Sequence, residues 1–489
     1  MTVIEFLPKI RDWTALSRPM YKELAAAIVA AIQRGELPAG TRLPPERHLA
    51  DSLGVSRSVI VSAYEELRTE GAVDRREGSG TFVRTSPLPL TRIHDLGYAT
   101  HKYAGYRGLA EGQRNPIDLS MGALGAAPEV IRALASLKED ITTDSLYLQS
   151  HGYSPAGLRE LRSSLARGYS SAGLRTVPEQ ILVTTGAQQA IFLIAVACLS
   201  PGSPAVIEDL TYPGALDALG AVGARLAHLP VDHDGIQADR LRDAVTQSKA
   251  KLLYVGSTFQ NPTGALLSMQ RREVIAGIAA DLKLIVIDDT ALCDLALSDE
   301  APLPLLAAIE PDAPIFTVGS LSKAFWGGLR IGWVRGPERL IEDLGRLKGA
   351  LDRGTPVLDQ MIAIELLDCR QGVATRRKAE LQPRLKVLVD SLATELPSWG
   401  WQEPAGGTSL LVRLPAGNAS DFAEAAYRAG VIVVPGSVFS ATRHHDDILR
   451  LTFVVEPDQL HEGVQRLATA WNEYTSRPHI RRSASSAVV

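Results

Sequence analysis

Apolar positions follow two rhythms along this chain, and the change between them divides it. From Pro19 to Gly35, Met20, Leu24, Ile28 and Ile32 recur at every fourth position, which predicts a helix with one buried face ending at Gly35. Leu37-Pro38-Ala39-Gly40 breaks the chain. Pro45 then opens a short helix through Leu53, with Leu49 and Leu53 inward and Gly54 as its stop. Ser56 is a natural N-cap for a third helix, on which Ile60, Ala63 and Leu67 face inward until Gly71. From Val73 to Val83 the chain reads as two short β-like runs around a glycine turn, the composition of a hairpin. Beyond Ile117 the rhythm changes. Ile181-Leu182-Val183, Ala205-Val206-Ile207, Leu252 to Val255, Leu284 to Ile287 and Ile315 to Val318 alternate with helical stretches. Such runs suit buried strands of a mostly parallel sheet with helices on both faces.

Composition sets the scale. The 489 residues, 45% of them hydrophobic, exceed one ordinary domain and supply at least two cores. The pattern predicts a helical and hairpin unit over residues 16–84, a linker over 85–115 without periodicity, a large α/β unit over 116–472, and a disordered tail over 473–489. No apolar stretch reaches membrane-spanning length, and Met1-Thr2-Val3-Ile4-Glu5 lacks a signal-peptide pattern, so a cytoplasmic location without membrane contact is expected. Cys198, Cys293 and Cys369 are far apart and read as reduced packing residues, and His444-His445-Asp446-Asp447 reads as a solvated turn. No metal is expected. The formal net charge of -4 argues against a protein coated for nucleic acid. Residues 1–86 carry 12 basic and 11 acidic side chains, so any DNA reading must rest on arrangement rather than charge.

The chemistry centres on Gly319-Ser320-Leu321-Ser322-Lys323-Ala324-Phe325-Trp326-Gly327-Gly328-Leu329-Arg330. An amine at Lys323 can condense with an aldehyde, while Ser320 and Arg330 offer a hydroxyl and a fixed cation to a phosphate, a combination that suits pyridoxal 5'-phosphate (PLP). In parallel sheets ligands gather at the carboxyl ends of the strands, where further polar residues occur here. Gly186, Ala187 and Gln188 join a strand to the helix Ala190 to Leu199, and free amides at a helix start bind anions. Asp288 follows its strand and could keep a pyridine nitrogen protonated, with Asp289 the competing choice by one residue and a helix N-cap the plain alternative for either. Asn261-Pro262-Thr263-Gly264 is either a simple β-turn or the carrier of an amide donor to the ring hydroxyl.

Two resemblances gather these features. The order of three helices and a wing, with Leu43-Pro44-Pro45-Glu46-Arg47 and Gly54-Val55-Ser56-Arg57 at the turns, resembles the winged helix-turn-helix of GntR-type bacterial regulators. That resemblance implies double-stranded promoter DNA as partner. Arg57 would point to base edges beside Ser56 and Ser58, Arg47 would grip backbone or bases, and Gly78, Ser79, Gly80 and Thr81 would bring the wing close to phosphates. Val61 stands where some relatives carry another DNA-reading arginine. The sites of the large unit, in content and order, resemble fold-type I aminotransferases, with large and small subdomains. By that resemblance Tyr212 stacks on the cofactor ring, Lys323 forms the internal aldimine, and Arg450 binds the carboxylate of an amino-acid effector. Relatives carry a tyrosine shortly after the ring-binding aspartate; here Thr290 follows Asp288-Asp289, so contact with the ring hydroxyl should weaken.

The two units in this order resemble the MocR subfamily of GntR regulators, which implies a domain-swapped homodimer. The expected function is a regulator whose amino-acid or amine effector forms an external aldimine and, through Arg450 on the smaller part, changes how paired winged units meet DNA. One rival is a working aminotransferase with an incidental winged unit, recognisable by steady conversion of an amino acid. The other is a DNA-binding protein whose large domain is only a scaffold, against which stand Lys323, Ser320, Arg330 and Asp288.

Overall fold

Helical spacing becomes helix where the sequence places it. The computed structural model describes residues 6–10, 20–33, 37, 40–69, 72–76, 80–83, 116–140, 146–300, 302–442 and 445–476. Gly35, Gly71, Gly78, Ser79, His444 and the segments 85–115 and 477–489 therefore lie outside the described residues. The chain forms two compact units, Met1–Tyr98 and Ala99–Val489.

In the first unit, α1 (Met20–Gln33), α2 (Glu46–Leu53) and α3 (Arg57–Thr69) precede a hairpin of β1 (Val73–Arg76) and β2 (Gly80–Val83). Leu24, Ile28, Leu49, Ile60, Ala63 and Leu67 are buried, as their spacing requires, whereas Met20 in the first turn of α1 is exposed. Gly54 closes α2 in the left-handed conformation at φ 66°, a backbone state that costs glycine little. The antiparallel hairpin pairs Val73 with Val83 and Arg76 with Gly80. The segment before α2 joins it, since Gly40 donates to Val83 O at 2.8 Å and Leu43 to Thr81 O at 2.9 Å. Phe6 and Ile10 are also buried in this core, so it reaches back past the boundary expected at residue 16.

The second unit is built on a seven-stranded sheet of β3 (Ile181–Thr184), β4 (Pro204–Glu208), β5 (Arg225–Leu229), β6 (Leu252–Val255), β7 (Ile285–Asp289), β8 (Ile315–Ser320) and β9 (Gly332–Arg335). Its order is β3-β9-β8-β7-β6-β4-β5, and β9 alone runs antiparallel to both its neighbours. The five apolar runs read as strands are all strands. Each is buried on both faces, with one layer containing α4 (Ala187–Cys198); the opposite layer contains the helix Met269–Leu282 for the other four, whereas Ile181 and Val183 of β3 pack there with Leu161, Leu165 and Ile362. β7 continues past Ile287 and includes both aspartates.

A smaller sheet of β10 (Gly400–Trp401), β11 (Ser409–Arg413), β12 (Val434–Pro435) and β13 (Ile448–Thr452) has the order β10-β11-β13-β12. Helices α5 (Arg370–Glu395), α6 (Ala419–Arg428) and α7 (Pro457–Thr475) belong to the same lobe. The tail boundary expected at 473 needs correction, because α7 runs through Thr475. Tyr474 is buried, and its ring centroid lies 5.6 Å from that of Phe422, which also packs edge-on against Trp399 and Trp471. Such pairs contribute about 0.5–1.5 kcal/mol each beyond area burial, enough to hold the last turn of the helix. No helix among the described residues is long and apolar enough to cross a membrane.

Candidate functional site

Strand ends and one helix start converge on Lys323. β8 ends at Ser320, and the chain turns sharply. Ser320 Oγ accepts from Ser322 N at 3.1 Å and donates to Ile331 O at 3.3 Å, while Lys323 Nζ donates to Gly122 O at 3.1 Å. At the end of β3, Gly186 adopts φ 103° and opens α4, whose first amides have no partner within the helix. A Cβ there would be strained and would lie 3.0 Å from Arg330 Nη2. Arg330 donates to Thr185 O at 2.6 Å, which fixes its cation beside that helix start.

Two adjoining cavities of about 210 Å³ each meet at Lys323. Gly186, Ala187, Gln188, Ser320, Arg330 and Asp289 line one; Arg450 lines the other; Tyr212, Asn261 and Lys323 line both. Gln188 Nε2 donates to Gly214 O at 2.8 Å, which ties the helix start to the loop carrying Tyr212. Arg450, on β13, is 6% exposed and lies 4.7 Å over the Phe439 ring. It donates to Asn261 Oδ1 at 3.3 Å and to Ser120 O.

Burial sets the electrostatics. Loss of solvation, reinforced by the Arg450 cation, lowers Lys323 to about 8, with Asp289 pulling the other way. Its neutral, nucleophilic form is therefore more accessible than that of an ordinary lysine. Burial raises Asp289, while the Tyr254 hydroxyl, donating to it at 2.7 Å, and Lys323 oppose the shift. Burial also pushes Glu208 up to about 8, against hydrogen bonds from Gln260, Gly256 and Thr211.

The structure corrects the choice of aspartate. Side chains alternate along a strand, so Ile287 and Asp289 face the layer of α4 and the cavity, whereas Val286 and Asp288 face the opposite layer. Asp288 lines neither cavity. Burial raises it to about 6, and Arg272 on that other face opposes the shift. Thr290 is also turned away, with Oγ1 donating to Val318 O at 2.8 Å. Ala291 and Leu292 face the cavity after Asp289, and neither carries a hydroxyl. Sequence reasoning missed Tyr254 and the clamp in which Gln260 Nε2 donates to Glu208 Oε2 at 3.1 Å and to Leu210 O at 2.6 Å. A polar residue beside Asn261 and an acid closing an apolar strand were the available signals. His445, read as part of a solvated turn, instead pairs with Asp209 at 2.8 Å.

In the first unit, Arg47, Ser56, Arg57 and Ser58 are exposed. Arg57, the first residue of α3, pairs with Glu46 at 3.1 Å, and the Ser56 and Ser58 hydroxyls meet at 2.8 Å. In the wing, Gly80 has φ 110°, and its missing Cβ leaves room for Arg42 Nε, 3.0 Å from where that Cβ would stand. Arg42, in the segment before α2 that bridges to Phe82, is a cation beside the wing that periodicity did not reveal. Thr81 lies on β2, its carbonyl engaged by Leu43.

Comparison with known proteins matches this division. Residues 20–83 match the bacterial regulatory proteins of the gntR family, and residues 114–467 match aminotransferase class I and II. An uncharacterized HTH-type transcriptional regulator of Bacillus subtilis, YdfD, is 28% identical over 94% of this chain and 98% of its own length. A probable rhizopine catabolism regulatory protein of Rhizobium meliloti, MocR, is 28% identical over 67% of this chain and 68% of its own. The chain belongs to the MocR subfamily of GntR regulators. Within this MocR-type arrangement the large unit superposes on the kynurenine aminotransferase of Pyrococcus horikoshii, solved with PMP. The TM-score is 0.71 and the identity 28%, over 76% of this chain and 94% of the other.

Proposed function

We propose that this MocR-type protein is a transcriptional regulator that binds promoter DNA through its winged unit and holds PLP and an amino-acid or amine effector in its large unit. The observation that carries the reading is the meeting of Lys323, Asp289 and Arg450 at two joined cavities, beside a helix start that carries a fixed arginine. These residues fit the cofactor. The amides of α4, Ser320 and Arg330 suit its phosphate, Asp289 suits its ring nitrogen, Asn261 its ring hydroxyl, Tyr212 a ring face and Lys323 its aldehyde. PLP, when bound, supplies a reversible covalent attachment for amines and an electron-withdrawing ring.

Binding and orientation fall to the chain's own residues. Lys323 offers a neutral amine, Arg450 orients a carboxylate from the smaller lobe, and the Tyr254 hydroxyl steadies Asp289. Ala291 and Leu292 leave Asn261 without a hydroxyl partner from the segment after Asp289, which supports a site that senses rather than turns over. An effector bridging Arg450 and Lys323 would favour one position of the smaller lobe, and that bias would pass to DNA binding. The assembly we infer is a domain-swapped homodimer, for which exposed Ile131, Leu134, Tyr153 and Leu351 offer apolar surface. Promoter DNA as the partner implies the cytoplasm as the place where this regulator acts.

The reading is tested by adding PLP to the purified protein. A visible band that vanishes in Lys323→Ala, together with promoter-fragment affinity that changes when an amino acid is added, is the expected result. A parent protein that stays colourless with PLP would overturn the reading.

A further inference from the structure

We propose, building on the cofactor reading above, that Glu208 is a second acid of the ring site, which stays neutral while Asp289 carries the negative charge, and which acts through Gln260 to set Asn261 and Tyr212 around the ring. Both acids border one cavity. Glu208 closes β4 and is 1% exposed, Asp289 closes β7, and the other ionisable residues lining that space are Tyr212, Tyr254, Lys323 and Arg330. Two carboxylates on one dry cavity disfavour each other's charge, and the one with weaker support keeps its proton. Support for the charge lies at Asp289, which accepts from the Tyr254 hydroxyl at 2.7 Å and is favoured as an anion by Lys323.

At Glu208 the donors are uneven. Gly256 N at 3.2 Å, Gln260 Nε2 at 3.1 Å and the Thr211 hydroxyl at 3.5 Å all meet Oε2, whereas buried Oε1 has no hydrogen-bond partner among the described residues. Oε1 is closed off within one chain, out of reach of a second subunit. An ionised carboxylate shares its charge between both oxygens, and a bare buried share of charge is costly. A neutral acid divides the roles, with Oε2 accepting as a carbonyl and Oε1 carrying the proton. Burial, reinforced by Asp289, holds Glu208 up at about 8 against its three donors.

Gln260, 2% exposed, is engaged at both ends of its amide. Nε2 donates to Glu208 and to Leu210 O at 2.6 Å, while Oε1 accepts from Thr263 N at 3.0 Å and from Thr263 Oγ1 at 2.7 Å. Leu210 stands two residues before Tyr212, and Thr263 two after Asn261. By accepting from Nε2, Glu208 fixes which way the amide is turned, and through it the spacing between the ring-face residue and the ring-hydroxyl residue. One negative charge, on Asp289, is then matched to one protonated ring nitrogen.

The experiment compares Glu208→Leu and Glu208→Gln with the parent as full-length proteins. Titrated by its visible band, PLP should bind Glu208→Leu about tenfold or more weakly than the parent, because Gln260 Nε2 and Gly256 N lose an acceptor. Glu208→Gln, a neutral group that keeps the acceptor, should restore the affinity to within about threefold. The second readout is the melting temperature of the apoproteins from about pH 5 to 9. An acid raised in the fold binds its proton more tightly there than in the unfolded chain, so the parent should lose stability relative to Glu208→Gln as pH rises, and the difference should level off past about 8. A difference that stays flat over that range would mean an ionised Glu208 and overturn the inference. So would equal PLP affinity in the two variants. Should Glu208→Leu fail to fold, the melting comparison with Glu208→Gln decides alone. A parent protein that never colours with PLP overturns the cofactor reading, while the apoprotein melting curves still decide the charge of Glu208.

Discussion

Arg57 and Arg450 are both arginines assigned to ligand recognition, and the structure sets them in opposite surroundings. The Arg57 side chain is 69% exposed and paired with Glu46 at the start of α3. Arg450 is 6% exposed, fixed by Asn261 and Ser120 and laid against an aromatic ring. An exposed pair contributes only about 0–1 kcal/mol to stability, so the Glu46 carboxylate serves mainly to aim Arg57. A buried cation costs several kcal/mol to desolvate, and its fixed partners hold it ready for one ligand. The winged unit works by reach and charge placement in water, whereas the large unit works by removing water. The lowered Lys323 and raised Asp289 belong to the second mode.

The sharpest way to break this comparison is to separate the two aspartates of β7. Asp289→Asn should weaken PLP binding by about 2–5 kcal/mol, the cost of truncating one partner of a buried charge pair, measured by titrating the visible band. Asp288→Asn should leave that titration nearly unchanged and lower the melting temperature, since Asp288 faces Arg272 on the opposite layer. The reverse pattern would return the ring nitrogen to Asp288.

At the exposed site, Arg57→Ala should cost about 1–3 kcal/mol of discrimination between cognate and scrambled duplexes, whereas Arg42→Ala, beside the wing, should weaken both alike. Equal discrimination by parent and Arg57→Ala would remove the base-reading role.

A smaller effect concerns pH. Because Lys323 is lowered to about 8, its neutral amine becomes the major form above that value and the ammonium the major form below it. Capture of added PLP by apoprotein should accelerate as pH rises and level off past about 8, measured by stopped-flow absorbance. In Arg450→Ala the midpoint should move upward, because a neighbouring cation that disfavours the ammonium is gone.

The smallest expected effect lies in the winged core. The Tyr64 hydroxyl is buried and donates to Pro44 O at 2.8 Å, tying α3 to the turn before α2. Tyr64→Phe should cost about 1 kcal/mol, read from chemical denaturation.

The spacing of Leu24 and Ile28, and of Ile60, Ala63 and Leu67, determined the winged helices, because a helix half in water must segregate its residues every three or four positions. Apolar runs ending in Gly186, Asp288-Asp289 and Ser320 likewise determined a parallel sheet with chemistry at its strand ends. The sequence did not determine which aspartate enters the cavity. A strand buried on both faces shows no alternation, so Leu284 to Ile287 reads the same whichever side it presents. Tertiary structure decided that point, turned Thr290 onto Val318 O, and brought Arg450 onto Ser120 from 330 positions away. Local patterns record which residues shun water; which of them meet around a ligand depends on sheet register and lobe packing, and neither leaves a mark on any short stretch of chain.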